Sequence, residues 1–219
     1  MSIKDKYHVE RISFNDCKDW LLYKHYAHRI PSISYAFGLF DTDNILQGVC
    51  TFGRTAFQEA SFLCGEEKKN LVYELNRLIV NQFDKNMTSF FVSQCLRLLP
   101  KPSIIISYSD EGQGHFGYIY QACNFLYSGC GIGAINYITS IGKLSRSGMR
   151  NRETRNQEIP EIYRIENGTR KHRYIYFIGT KKEKKEMLKA LKYEIQPYPK
   201  GENKNYDASY EPTVQGRLF

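Results

Sequence analysis

Residues 104–129 read IIISYSDEGQGHFGYIYQACNFLYSG, and the architecture of the chain follows from the order of these residues. An apolar run, Ile104 to Ile106, ends abruptly in Ser107, Tyr108, Ser109 and Asp110. A glycine-punctuated turn carrying Gln113 and His115 follows. Then Phe116, Ile119, Tyr120 and Cys123 recur at helical spacing. A buried strand that delivers polar groups at its C-terminal end, beside a helix start, is where α/β proteins build ligand sites.

Outward from this segment the pattern alternates. Ser13, with Asp16 three positions on, predicts the start of a helix over residues 14–26, and Pro31 lies past its end. Two apolar strands, 35–40 and 45–53, join through Asp41-Thr42-Asp43-Asn44, which is hairpin-turn chemistry. Residues 54–70 read as a loop. The stretch 71–80 reads as a strand with Leu75, Arg77 and Ile79 on one face and Glu74, Asn76 and Leu78 on the other. A helix from 88 or 89 to 99 stops at Pro100 and Pro102, and the opening segment supplies strand 103–109 and helix 115–124. Strands near 125–129 and 134–139 come next, then a basic loop over 140–160 and a strand at 173–179. Helix 181–192 is capped by Thr180 with Glu183. One domain, residues 1–195, is expected, with an extended tail over 196–219 rich in Pro, Gly, Asn and Lys. This order is that of the acyltransferase-like GNAT fold, an α/β mixed central sheet flanked by helices. In that fold the fifth strand splays away from the fourth.

The bulk numbers narrow the partner. A net charge of +8 and a pI near 9.1 favour a polyanion, with cations clustered over 143–155, 170–173 and 181–192. Seventeen tyrosines exceed ordinary usage. They suit a surface that stacks bases and equally a tyrosine-rich core. Six cysteines show no CxxC or other metal-type spacing, which reads as reduced, mainly buried thiols. No apolar run approaches the ~18 residues of a membrane span, so a soluble cytoplasmic protein is expected.

Individual residues then suggest roles. In a GNAT fold the loop after the fourth strand cradles a pyrophosphate on backbone amides, usually through glycines. Here it reads Asp84-Lys85-Asn86-Met87-Thr88-Ser89, with no glycine. Lys85 is a phosphate contact, while Asn86, Thr88 and Ser89 are placed to cap the helix or to meet the donor. Arg77 lies mid-strand, where a charge is costly without a partner such as Glu74 or Asp110. Asp110, at a strand end, is suited to orient an amine or act as a general base. His25 and Tyr26 offer a proton carrier beside a hydroxyl. Arg150, Arg152, Arg170, Lys171, His172 and Arg173 suit phosphate contacts that position a nucleic acid without reading its sequence.

The elements HYAHR (25–29), YELNRLIV (73–80), NMTSFFVSQCLRLL (86–99), SYSDEGQGHFGYIYQACNFLYSG (107–129) and KHRY (171–174) together resemble the phage Mom family of DNA modification proteins. The resemblance covers residues 20–180. It implies a GNAT-like enzyme that places an acyl group of carbamoylmethyl or glycyl type on the N6 amine of adenine in double-stranded DNA, shielding phage DNA from restriction. It also implies an association with iron and a donor left open between the aminoacyl-tRNA and acyl-coenzyme A types, the glycine-free loop agreeing with a donor other than acetyl-coenzyme A. Carried over by motif, the functional residues are His25, Tyr26, Arg77, Ser107, Asp110 and Tyr120, with His25 and Asp110 as the metal candidates. Tyr26, Tyr118 or Tyr120 would stack the extruded base, and Ser107 or a backbone amide would hold the oxyanion. An acetyl-coenzyme A-dependent N-acetyltransferase and a non-catalytic DNA-binding protein are the alternative readings.

Overall fold

The computed structural model describes residues 2–81 and 84–200. A short helix α1 (Ile3–Lys6) leads into β1 (Tyr7–Arg11), and α2 (Phe14–Asp19) continues into a π-helical turn, Trp20–Lys24. Ser13 caps α2 by accepting from the Asp16 amide, as its spacing predicts. The hairpin β2 (Tyr35–Asp41) and β3 (Leu46–Gly53) precedes β4 (Val72–Val80) and α3 (Met87–Leu98). Next come β5 (Ser103–Asp110), α4 (Tyr118–Ala122) and β6 (Leu126–Gly131). An inserted unit follows: β7 (Ile135–Thr139), β8 (Gly142–Ser145), α5 (Arg146–Thr154) and β9 (Ile162–Asn167). β10 (Lys171–Ile178) and α6 (Lys181–Ala190) close the fold, with the capping box of Thr180 and Glu183 formed.

Seven strands form one sheet in the order β1-β2-β3-β4-β5-β10-β6, and the insertion makes its own sheet, β8-β7-β9. Only β4 and β5 pair in parallel among the described strands. Their ladder runs from Val72↔Ile104 to Leu75↔Ser107 and stops there, although both strands continue. Beyond that pair they diverge. The Ser107 hydroxyl donates to the Leu75 carbonyl at 2.9 Å, so the last backbone acceptor before the fork is satisfied by a side chain.

Apolar residues on both faces hold the sheet. On one face Phe37, Phe52, Leu75 and Ile105 pack against Met87, Phe91, Val92 and Cys95 of α3. On the other, Ile104, Ile106, Ile175 and Phe177 meet Met187 of α6, while Cys17, Trp20 and Leu21 cover Ala36 and Val49. Burying each large side chain contributes roughly 1.5–3 kcal/mol, which is why short helices persist here. All six cysteines are free, and only Cys130 is not fully buried.

Several expectations give way. The stretch 140–160 is not a loop but contains β8 and α5. α5 (RSGMRNRET) buries only Met149 among its described side chains, so it carries no apolar stripe to read. β1 and β9 were also not anticipated, since both are largely exposed and lack clean alternation. The helix expected over 115–124 shrinks to five residues between Gly117 and Asn124, whose left-handed φ values are +76° and +60°. Of the expected tail, residues 196–200 are described, and two of them hydrogen-bond to β6 or the residue before it. The Gln196 amide donates to the Tyr127 carbonyl at 2.9 Å, and the Tyr198 hydroxyl donates to the Phe125 carbonyl at 2.7 Å. Residues 201–219 lie outside the described residues.

Candidate active site in the fork between two parallel strands

The fork is lined from three directions. A β-bulge at Asn76 adds one residue to β4, since Thr51 pairs with Arg77 but Phe52 with Leu75. That extra residue reverses the alternation read from the sequence. Leu75 and Leu78 now share the main core, while Ile79 joins the opposite cluster with Trp20. Arg77 therefore falls on the Glu74 side. Its guanidinium donates to the Asn76 and Arg29 carbonyls, its Nε has no partner, and among the described residues it makes no ion pair. Burial, then the neighbouring Arg29 charge, holds its acidity constant below the usual arginine value. A cation 9% exposed with no contacting carboxylate is a site for an anion or a developing negative charge.

The π-helical turn ends at His25, and this is what delivers His25 and Tyr26 to the same place. His25 is 9% exposed and stacks on Tyr26, ring centroids 4.4 Å apart; Tyr26 is 52% exposed and meets His115 edge-on at 6.4 Å. The His25 Nδ1 accepts the Ala27 amide at 3.0 Å, so the neutral ring carries its proton on Nε2 and presents a donor there. Burial first, then the positive charges of Arg77, His28 and Arg29, lowers its pKa to about 4. Because the folded pKa lies below the unfolded value near 6.5, His25 adds stability that is complete above pH 6.5 and fades as pH falls toward 4. Screening by the open cleft leaves up to about 2 kcal/mol of this. Urea melts of wild type and His25→Asn at pH 7 and pH 4.5 check it: the variant should lose less stability on acidification. Equal losses would refute it.

Glu74 completes the floor. Burial raises its pKa above the ordinary carboxylate value, against the 2.8 Å hydrogen bond that its Oε2 accepts from the Ala56 amide. The charge of Glu74 is also felt by Arg77, Tyr108 and Tyr120. Sequence reasoning treated Glu74 only as a partner for Arg77. The cost of a mid-strand charge, which singled out Arg77, was equally a signal for Glu74. Arg29 and His115 were missed as well, since neither sits in a spacing that carries chemistry.

Other expected site residues are tied into the fold. Ser107 spends its single proton on the Leu75 carbonyl and so offers no donor to an oxyanion in this arrangement. Burial pushes the pKa of the Tyr120 phenol upward. Asp110 accepts the Gly112 amide at 3.0 Å and the Thr169 hydroxyl, and lies 3.7 Å from the Lys171 ammonium. In the loop before α3, Asn86 takes the left-handed conformation itself at φ +67°, without a side-chain cap. Ser89 donates to the Asn86 carbonyl at 3.0 Å, and the Met87 amide is taken by the Asp84 carbonyl. Lys85 is exposed and Thr88 half-buried, while Asp84 is held by Lys6 at 3.0 Å and Tyr7 at 3.2 Å. The loop therefore engages the Met87 amide but leaves the helix start uncapped, and it brings a carboxylate, Asp84, and no glycine to the place where a pyrophosphate would lie.

The basic residues divide. Arg150 is exposed on α5, and Arg152 donates to the Glu158 carbonyl at 3.0 Å. Arg170 lies exposed 3.6 Å from Glu111, and Lys171 is exposed beside Asp110. His172 is instead buried, and the Arg173 guanidinium stacks 3.6 Å over the Tyr193 ring. The run KHRY lies on an inner strand of the sheet, whose period of two turns alternate side chains inward. As a phosphate contact His172 is therefore corrected. Iron at His25 and Asp110 does not fit either. His25 Nδ1 accepts an amide and Asp110 Oδ1 accepts two hydrogen bonds, and neither residue belongs to a group of three close donor atoms among the described residues. No step below passes through iron. No helix among the described residues is long and apolar enough to cross a membrane.

A mixed sheet that forks at its parallel pair, flanked by helices, is the GNAT fold. NAA60 of Arabidopsis thaliana, solved with acetyl-CoA, shares this fold at a TM-score of 0.50 and 9% identity, over 78% of this chain and 99% of its own. A probable acetyltransferase from Staphylococcus epidermidis gives 0.47 at 10% identity, over 78% and 98%. The chain belongs to the Mom protein family, whose model matches residues 6–200. It is 27% identical over 207 residues to the protein named methylcarbamoylase mom of Escherichia phage Mu, covering 88% of this chain and 83% of that one.

Proposed function

We propose that this protein is a DNA-modifying transferase that moves an acyl-type group, of the methylcarbamoyl or carbamoylmethyl class, to the exocyclic N6 amine of adenine. The observation that carries the reading is Arg77, a buried, unpaired cation at the fork, beside an exposed Tyr26 and a carboxyl of raised pKa at Glu74. Family membership and the name of the phage Mu relative support the class of reaction.

Adenine N6 is a weak nucleophile because its lone pair is delocalised into the ring, and in duplex DNA it is stacked. Extrusion costs a few kcal/mol, which stacking of the flipped base on Tyr26 offsets. As N6 attacks the electrophilic carbon of the donor, Glu74 takes the amine proton. Its raised pKa makes it a better base near neutrality than an ordinary carboxylate. Arg77, with the His25 Nε2–H, faces the negative charge that grows on the donor as its leaving group departs. The remaining expected site residues have supporting roles: Ser107 and Tyr120 fix the fork, and Asp110 anchors the turn beside it. Arg150, Arg152, Arg170 and Lys171 contact phosphate.

The glycine-free loop at 84–89, with the Asp84 carboxylate in it, supports a donor other than acetyl-coenzyme A, with aminoacyl-tRNA the alternative that the protein's positive charge suits. Mass spectrometry of nucleosides from DNA of cells expressing the protein tests the proposal. A deoxyadenosine of increased mass is expected, and its increment identifies the group. Unmodified DNA from cells making folded protein would sink the reading, and tight calorimetric binding of acetyl-coenzyme A would redirect it to an ordinary N-acetyltransferase.

A further inference from the structure

The inserted unit is joined to the main sheet by two adjacent backbone segments, one leaving β6 and the other entering β10. Three donors of different chemistry meet there. Cys130 and His172 are direct cross-strand partners on β6 and β10, and Glu111 is the first residue after β5, on the other side of β10. The Glu111 amide donates to the Arg170 carbonyl at 3.0 Å, fixing it beside the returning strand. The carboxylate, thiol and imidazole donor atoms all lie within 4.8 Å of one another.

His172 is the independent sign. It is only 5% exposed, its Nδ1 is engaged by the Tyr127 hydroxyl at 2.9 Å, and its Nε2 has no partner at all. A buried ring nitrogen left unsatisfied is costly. When Nδ1–H donates to the Tyr127 oxygen, the Nε2 lone pair is free, and that is the tautomer in which an orienting second partner prepares a histidine for a metal. Phe116 packs against the same ring at 5.5 Å and limits its rotation.

We infer that Glu111, Cys130 and His172 form a binding site for one divalent transition-metal ion of the zinc type, which staples both ends of the insertion to the main sheet. Nitrogen, sulfur and a single carboxylate select a borderline ion, whereas magnesium and calcium require oxygen donors. A tetrahedral ion with bonds of about 2.0–2.3 Å needs donors about 3.4–3.8 Å apart, so a contraction of about 1 Å closes the site. On binding, the Cys130 thiol gives its proton to solvent and ligates as thiolate. This site is separate from His25 and Asp110, and its existence does not depend on the reaction proposed above.

The test uses the full-length protein stripped with chelator. One equivalent of cobalt(II) should produce visible d–d bands and a sulfur-to-cobalt charge-transfer band, both bleached by one equivalent of zinc. In Cys130→Ser the charge-transfer band should vanish, and in Glu111→Gln binding should weaken at least about 10-fold. Zinc should also slow alkylation of Cys130 in the wild-type protein, read by peptide mass spectrometry; the other five cysteines are buried. That measurement needs no variant. Cobalt spectra without sulfur character, a charge-transfer band that survives Cys130→Ser, or alkylation indifferent to zinc would each overturn the site.

Discussion

Arg77→Met is expected to lower the proposed adenine modification by about 100- to 1,000-fold while leaving the protein as stable as wild type or slightly more so; both outcomes follow from the same geometry. A donor aimed at developing charge inside a closed site is worth several kcal/mol in the transition state. Methionine keeps the length and volume of the side chain but carries no charge and no donor. In the resting protein, however, the guanidinium is held by two backbone carbonyls, with Nε orphaned and no carboxylate in contact. Replacing a buried unpaired cation by an apolar isostere is neutral or favourable to folding. A purely structural arginine behaves in the opposite way, with melting temperature falling and residual activity following the folded fraction. Nucleoside mass spectrometry and a urea melt on the same preparation separate the two, and a destabilised variant with normal activity per folded molecule would remove Arg77 from the site.

Much of this arrangement was legible in the order of residues, though not all of it for the same reason. Elements that bury an apolar stripe were readable: α3, β5, β10 and α6 fall close to their expected bounds, because their sequences repeat the period of the surface they cover. The GNAT order followed from them. What escaped was the structure whose stability comes from elsewhere. α5 is polar on nearly every position and is defined by its Ser145 cap, which accepts from Gly148. β9 presents Tyr163 and Ile165 to solvent, so its alternation has no buried face to announce it. At the site, the bulge at Asn76 is invisible to a two-residue period. It is nonetheless what sets Arg77 beside Glu74. KHRY looked like a single cationic patch, and only its place on an inner strand shows that His172 is turned inward.

Gly133→Ala costs about 3 kcal/mol or more, because its added Cβ would meet the closest contact of any glycine among the described residues. At the neck of the insertion, a Cβ on residue 133 would sit 1.6 Å from the Gly168 carbonyl oxygen and 2.2 Å from its carbon. Both obstacles are backbone, so no rotamer change relieves them. The two segments must separate, and the 2.7 Å hydrogen bond from the Gly168 amide to the Ala134 carbonyl goes with them. Gly142→Ala is the matched control. Its φ of +109° strains any residue with a Cβ, yet nothing lies within 4 Å, so it should cost only about 1–2 kcal/mol. Urea melts of the two variants measure the difference. Because the insertion carries Arg150, exposed on α5, while Cys130 and His172 lie at its base, Gly133→Ala should also weaken the proposed DNA contact and the proposed zinc uptake together. A variant that loses stability but retains both would show that the insertion docks through its own sheet, with the neck serving only as a tether.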